Sequence, residues 1–374
     1  MWSIALETLI ADRAKLLTAL VGVAFSVVLV NVQGGFFLGL IGRASLLVDH
    51  SQADIWCGHR QMCNIDLPRD IPRRWVYRIR GTPGVRRAEP YVLGVTEMTL
   101  PSGGYQQVVV VGAEPQSQLG RAWNIVSGGP HAVRQPHGII VDRTEITKLE
   151  HPRLGDLREI AGHRARIAGM TQGIMGFLVF PYVFTTYDHA AACLHKPPEM
   201  CSYILVQTDP GADPHQVCQA IRQRLPEVDA FTRQQYSRIS INYWMTRTGL
   251  GISFGAATLL GLLVGMVIVA QTLYALVLDR LLEFGTLKAL GASEAQVYSI
   301  LLVQAMAMAA VGTVLGLATT WLIQSLYSTP RAPIVIPWWL VLGSTGLVWV
   351  ICLGAAILPY RRIRRLDPML VLQG

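Results

Sequence analysis

Four long, nearly charge-free apolar windows constrain this chain more than any other feature. They cover residues 16–41, 249–278, 297–326 and 338–358. About 20 apolar residues at a helical rise of about 1.5 Å each cross the hydrocarbon core of a bilayer, so each window reads as a transmembrane helix. The third carries Gln304, Thr313, Thr319 and Thr320 but no charge. A buried core helix of a large soluble protein is the weaker reading, because charged residues are only 15% of the chain against about 25% in soluble domains. The first window is too long for the apolar region of a secretory signal, and "NVQGGFFLGLIGRAS" offers no clean small-x-small cleavage site. A retained helix is expected.

Orientation follows from the basic residues that flank the spans. Arg361, Arg362, Arg364 and Arg365 follow the fourth window at once, and Arg13 and Lys15 precede the first. Such clusters favour the cytoplasmic side and its anionic headgroups, so both termini are expected there. Residues 1–15 then form an amphipathic cytoplasmic helix, with Trp2, Leu6, Leu9 and Ile10 on one side. Residues 42–248 form an extracytoplasmic domain, 279–296 a cytoplasmic connection, 327–337 a short outer loop and 359–374 a basic cytoplasmic tail. Trp338 and Trp339 sit where aromatic belts are enriched. Much of the net charge of +8 lies in the outer segment and the tail. With no zinc-finger, RRM or KH pattern, that charge gives no case for nucleic-acid binding.

The long segment 42–248 has mixed α/β texture. "YQQVVVVGA", "HGIIVDR", "RARIAGM", "FLVFPYVFTT" and "CSYILVQTD" are expected strands. "IPRRWVYRIRGTPG" and "DPHQVCQAIRQRLPEV" are expected helices, the second with Asp213 and Pro214 as N-cap and first residue and with Val217, Ile221 and Leu225 at helical spacing. Stretches Ala44–His50 and Gln235–Thr246 are expected to extend the neighbouring spans as helices. Cys57, Cys63, Cys193, Cys201 and Cys218 lie outside and Cys352 within the fourth span. Outside the bacterial cytoplasm disulfides persist, and the short-range pairs Cys57–Cys63 and Cys193–Cys201 are the candidates, free thiols the alternative. His50, Cys57, His59 and Cys63 are all metal-ligand types, but their spacing matches no standard zinc finger, and no metal is expected.

The chemistry of an engine is missing. There is no GxxxxGK[ST] phosphate loop, no HExxH and no GxSxG in the sequence. The chain is therefore expected not to be an enzyme or to hold a cofactor; ATP and Mg²⁺ belong to a partner. No Asp, Glu, Lys or His interrupts the four windows, which argues against a proton-relay transporter.

One short stretch supplies a place for that partner. In "RLLEFGTLKALGAS", Leu282, Thr286, Ala289 and Leu290 share a helical face, with Phe284, Leu287 and Gly291 beside it. Glu283 near its start and Lys288 near its end complement a helix dipole, and Gly291 suits a C′ position. A ten-residue helix is marginal alone, so its apolar side needs either headgroups or a groove on a protein. In the second window, Gly251 and Gly255, then Gly261 and Gly265, form small-xxx-small patterns. These fit either pairing of two copies about a two-fold axis or packing within one bundle.

One span, a large outer domain and three further spans resemble the FtsX-like permeases, the MacB fold of ABC transporters. "DRLLEFGTLKALGASEAQVYSILL" and the closing "LPYRRIRRLDPMLVLQG" carry the resemblance. The chain is most similar to the DevC-type permeases through "ADRAKLLTALVGVAFSVVLVNVQGGF", "QADIW", "PGVRRAEPYVLG" and the segment from "YWMTRTGLGISFG" onward; the cysteine-bearing "CGHRQMC" departs from it. The resemblance implies four transmembrane helices plus a mixed α/β extracytoplasmic domain, and location in the bacterial inner membrane. It implies an ABC ATPase subunit docking through Arg280, Glu283, Phe284, Leu287, Lys288, Leu290 and Gly291. It further implies a second permease copy, a periplasmic membrane fusion protein and an outer-membrane channel. The function implied is export of a lipid, glycolipid or other hydrophobic substrate by mechanotransmission. The alternative is a regulatory transducer that activates an envelope enzyme and moves nothing. An anchored outer enzyme lacks a nucleophile.

Overall fold

The computed structural model describes residues 13–129, 131–279, 286, 293–329 and 332–355. Four helices among them are long and apolar enough to cross a membrane: Arg13–Ile41, Leu250–Thr272, Tyr298–Tyr327 and Trp338–Ala355. In chain order, helix α1 (Arg13–Ile41) is followed by short α2 (Leu46–His50), strands β1 (Ile55–His59) and β2 (Ile71–Pro72) and helix α3 (Trp75–Arg80). Strands β3 (Val85–Thr99), β4 (Tyr105–Ala113), β5 (Ile125–Ser127), β6 (Gly138–Asp142), β7 (Leu157–Ile160), β8 (His163–Thr171) and β9 (Tyr182–Thr186) come next. Helix α4 (Tyr187–Cys193), β10 (Met200–Cys201), β11 (Tyr203–Thr208), α5 (Pro214–Arg224), β12 (Val228–Thr232) and α6 (Arg233–Arg247) complete the α/β domain. The remaining spans belong to α7 (Leu250–Asp279), α8 (Glu294–Tyr327) and α9 (Trp338–Ala355). Leu40–Leu250 forms one compact unit, and the described residues before and after it form another.

The main sheet runs β12-β1-β11-β3-β4-β9-β6-β8-β5, with β7 beside β3 and β8. Most neighbours are antiparallel, while β4–β9 and β6–β8 are parallel. Its strands are apolar on both faces, and the period of two sorts them. Val108, Val110, Ile139, Val141, Ile204 and Val206 enter one core, which α3, α4 and α5 cover through Val76, Ile79, Ala190, Val217 and Ile221. Val109, Val111, Ile140, Tyr203 and Leu205 enter the opposite core, closed by Leu47 of α2 and Tyr236 of α6. A register slip of one residue would exchange the two sets. The α5 start follows its sequence: the Asp213 carboxylate accepts the His215 N–H at 2.9 Å, and Pro214 needs no partner for a missing donor.

Two expectations need correction. "FLVFPYVFTT" becomes strand only at Tyr182. Before it, Val179 holds φ at 57° and its N–H closes a turn onto Gly176 O, and Pro181 has no N–H to give a ladder. Ala44–His50 and Gln235–Thr246 do not extend the spans. Only five residues of the former are helical, and α6 has its own capping box at Thr232 and Gln235. Gly249, in the left-handed region at φ 72°, separates α6 from α7.

In the membrane unit α1 touches each of the other three spans. An added Cβ at Gly261 would lie 2.3 Å from Leu29, and one at Gly265 1.7 Å from Ser26 Oγ. On α8, Gly312 and Gly316 leave room for Val23 and Val27, whose Cβ atoms would stand 2.6 and 2.7 Å from an added Cβ. On α9, Ser344 exchanges hydrogen bonds with Asn31, at 2.9 Å from Asn31 Nδ2 and 3.1 Å from Oδ1. Glycine-lined contact and a satisfied polar pair are the means by which helices associate in lipid, where burial of apolar surface drives nothing.

Candidate functional site

The α/β domain lies in the chain between two spans, so one segment enters it after α1 and one leaves it before α7. Inside the domain both segments meet at one residue. Ser240, fully buried on α6, donates its hydroxyl to the Ala44 carbonyl at 2.7 Å, 196 residues back in the chain. The same oxygen accepts the Ile65 N–H at 3.3 Å and lies 3.1 Å from Asn64 Oδ1. The chain that has just left α1, the loop Asn64–Asp66 and the helix that precedes α7 are thereby tied together.

The loop is held from a second side. Tyr203 OH lies 3.1 and 3.0 Å from the carbonyls of Asn64 and Ile65, and Tyr236 OH donates to Tyr203 OH at 3.1 Å. Behind them Trp56 packs edge-on to Tyr91 and Tyr203, with centroids 5.6 and 5.4 Å away, and its Nε1–H donates to Ser51 Oγ at 3.2 Å. This aromatic block makes the joint stiff, since large rings in a close-packed core have few alternative rotamers. Asn64 Nδ2 and Tyr91 OH are buried among it without a hydrogen-bond partner among the described residues.

One further turn along α6, Trp244 Nε1–H donates to Asp66 Oδ2 at 3.3 Å, and its ring stacks on Phe177 at 4.0 Å. Burial pushes the Asp66 carboxyl up to about 6, and the Trp244 hydrogen bond only partly opposes that rise. This raised carboxyl stands at the point where the outgoing helix meets the loop.

The residues singled out in sequence are placed elsewhere. Gly261 and Gly265 face α1 within the chain, whereas Gly255 has open space around it and Gly251 is half-buried. Arg280, Glu283, Phe284, Leu287, Lys288, Leu290 and Gly291 lie outside the described residues. So do the amphipathic stretch up to residue 12 and the basic cluster after residue 355.

All six cysteines are free thiols, so neither expected disulfide is made. Cys57 points from β1 into the core, while Cys63 is exposed beyond a reversal at Gln61, φ 66°. Cys193 and Cys201 are both buried, and burial pushes their thiols up to about 11 and about 12. The four metal-ligand types are also dispersed. His50 stacks on Trp123 at 4.6 Å, and His59 Nδ1 meets Arg60 O at 2.6 Å. Among the described residues no group of three His, Cys, Asp or Glu is placed to hold an ion.

Sequence reasoning missed Asn64, Asp66, Ser240 and Trp244. The available signal was faint: Tyr236, Ser240 and Trp244 recur at four-residue spacing, which marks one face of a helix in a segment that reads as a linker.

The MacB-like periplasmic core domain family matches residues 16–224, and the FtsX-like permease C-terminal family matches residues 255–368. No curated protein matches the chain. Among solved structures, the periplasmic region of MacB from Actinobacillus actinomycetemcomitans aligns with 50% of this chain and 92% of its own, at 7% identity and a TM-score of 0.40. The extracellular domain of the noncanonic ABC-type transporter YknZ from Gram-positive bacteria aligns with 48% and 98%, at 10% identity and a TM-score of 0.35.

Proposed function

This chain belongs to the family of FtsX-like permeases with a MacB-like periplasmic core domain, and from that premise we propose that it is the membrane subunit of an ABC-type exporter worked by a separate ATPase. Permeases of this family operate with ABC ATPases. The finer reading is that ATP and Mg²⁺ are bound by that partner and that this chain has no catalytic centre or cofactor of its own. The substrate is a lipid, glycolipid or other hydrophobic molecule. A second copy of the chain pairs with the first, with the open Gly255 face of α7 available to it. A periplasmic membrane fusion protein and an outer-membrane channel complete the path, as in DevC-type systems, with the permease in the inner membrane and both termini cytoplasmic.

The observation that supports transmission of movement is the joint at Ser240. Inside the domain, the helix that precedes α7 and the segment that follows α1 share one hydroxyl with the loop Asn64–Asp66, and this shared contact supports the reading. Such a coupling needs no passage for substrate through the permease.

Purification of the full chain in mild detergent, with mass spectrometry of what accompanies it, tests the reading. An ATPase with a fusion protein supports it. Recovery of an envelope hydrolase in place of a fusion protein replaces it with the transducer, and absence of any ATPase overturns both. Leu287→Asp is expected to uncouple ATP hydrolysis from export while the protein stays in the membrane. Unchanged export with stoichiometric ATPase binding in that variant refutes the docking role.

A further inference from the structure

The α/β domain has a pocket that the transmission joint does not use. It opens where β4 and β9, a parallel pair, both end. Its cavity volume is small, about 100 Å³, and it opens to solvent at the mouth. One wall is apolar, made by Ile125, Val133 and Phe184, and the rim is basic, made by Arg121, His131 and Arg134.

The rim charges are unspent. The half-buried Arg121 guanidinium has no hydrogen-bond or ion-pair partner among the described residues. Arg134 gives only its Nε–H, to Pro115 O at 3.0 Å, which leaves its terminal Nη groups available. The carboxylate in the lining, Glu114, is already held by Arg73 at 3.1 Å. The pocket therefore presents net positive charge beside apolar surface.

The wall is also fixed in place before any ligand arrives. Ser117 N–H closes a turn on Glu114 O at 2.9 Å, and Ser117 Oγ accepts the Leu119 N–H at 2.8 Å. Gly120 N–H donates to Ser51 O at 2.9 Å with φ at 69°, and an added Cβ there would meet Tyr91 at 2.3 Å. The loop is thus seated against the sheet, and little ordering entropy remains to be lost on binding.

We propose that this pocket binds an amphiphilic anion, with a phosphate or carboxylate head between Arg121 and Arg134 and a short apolar body against Ile125, Val133 and Phe184. Charge-assisted hydrogen bonds from two guanidinium groups select the head, and the wall selects an attached hydrocarbon over the free anion. The inference rests on the pocket alone and holds whether or not the chain is an export subunit.

Calorimetry on the full-length protein in phosphatidylcholine nanodiscs, without ATPase, tests it with hexyl phosphate, hexanoate, inorganic phosphate and hexanol. Hexyl phosphate and hexanoate are expected to bind, inorganic phosphate at least about tenfold more weakly, and hexanol not measurably. Arg121→Gln should weaken hexyl phosphate by about tenfold or more, the loss typical of one charge-assisted contact, and Gln118→Glu, which puts a negative charge at an exposed lining residue, should weaken it by repulsion of the anionic head. Neither residue is packed in the core, so both variants should fold. Arg86→Gln, on an exposed arginine outside the pocket, should change nothing. Absence of hexyl phosphate binding, unchanged affinity in Arg121→Gln, or inorganic phosphate or hexanol binding as tightly as hexyl phosphate overturns the proposal.

Discussion

Replacing Ser240 by alanine removes one oxygen and tests the joint most directly. The Ala44 carbonyl and the Ile65 N–H lose their partner, while Asn64 Oδ1 keeps the Asp66 N–H at 3.0 Å. Ala44 is 0% exposed and Ile65 2%, so water reaches neither without local opening. Each buried backbone group left unpaired costs about 1–3 kcal/mol, and allowing for relaxation the pair should cost about 3 kcal/mol. In a domain of this size about 1 kcal/mol moves the thermal midpoint by roughly 2–4 °C, so Ser240→Ala should melt about 6–12 °C lower. Tryptophan-fluorescence melting of the full chain in nanodiscs reads this. Ser237→Ala, on the same helix but without a hydrogen bond to lose, should stay within about 0.5 kcal/mol of wild type. Below the unfolding range, ATPase stimulation by the reconstituted complex should fall in Ser240→Ala and not in Ser237→Ala. A midpoint shift under about 2 °C, or coupling equal in the two variants, would refute the reasoning.

Asp66→Asn should stabilise the domain at pH 7.5, because the amide stays neutral and still accepts from Trp244. With the carboxyl raised to about 6 from 3.8, its contribution to stability is greatest below about pH 4 and is lost as pH rises through about 6. The ceiling is about 3 kcal/mol at about 1.4 kcal/mol per unit; a wild-type-to-variant difference that is the same at pH 5 and pH 7.5 in melting experiments rejects it. Gly316→Ala should destabilise the protein by about 1–3 kcal/mol through overpacking and so lower its midpoint, since the Val27 Cβ stands 2.7 Å from the added carbon and Ala24 O 3.0 Å. Gly255→Ala, in open space, should leave the monomer unchanged, and equal midpoints for the two variants would refute the packing of α8 on α1. In a double-mutant cycle of Asn31→Ala and Ser344→Ala, a coupling of about 0.5–2 kcal/mol is expected from a buried interhelical pair; additivity within error would show that the pair does not hold α9 to α1.

Much of the architecture was legible because it rests on sums over neighbouring residues. Hydropathy over about 20 positions marked four spans, and β-branched runs such as "VVVV" at 108–111 marked a strand that spans Tyr105–Ala113. The absence of a GxxxxGK[ST] run from the sequence is likewise a local fact, read without any fold. The glycine patterns of the second span were visible too, but not their neighbours. Helical spacing says which residues share a face and is silent on what that face meets, so Gly265 against Ser26 and Gly255 against nothing had the same signature.

What only the tertiary structure decided involves pairs distant along the chain or divided by a reversal. Cys57 and Cys63 are six positions apart, yet a strand that buries one and a turn that exposes the other keep them unpaired. Ser240 and Ala44 are 196 positions apart and share a hydrogen bond at 2.7 Å. Local propensity determined where the spans, strands and caps begin. Which hydroxyl sits between the two ends of the inserted domain depended on sheet order and helix packing, and those arise only when the whole chain has closed its two cores.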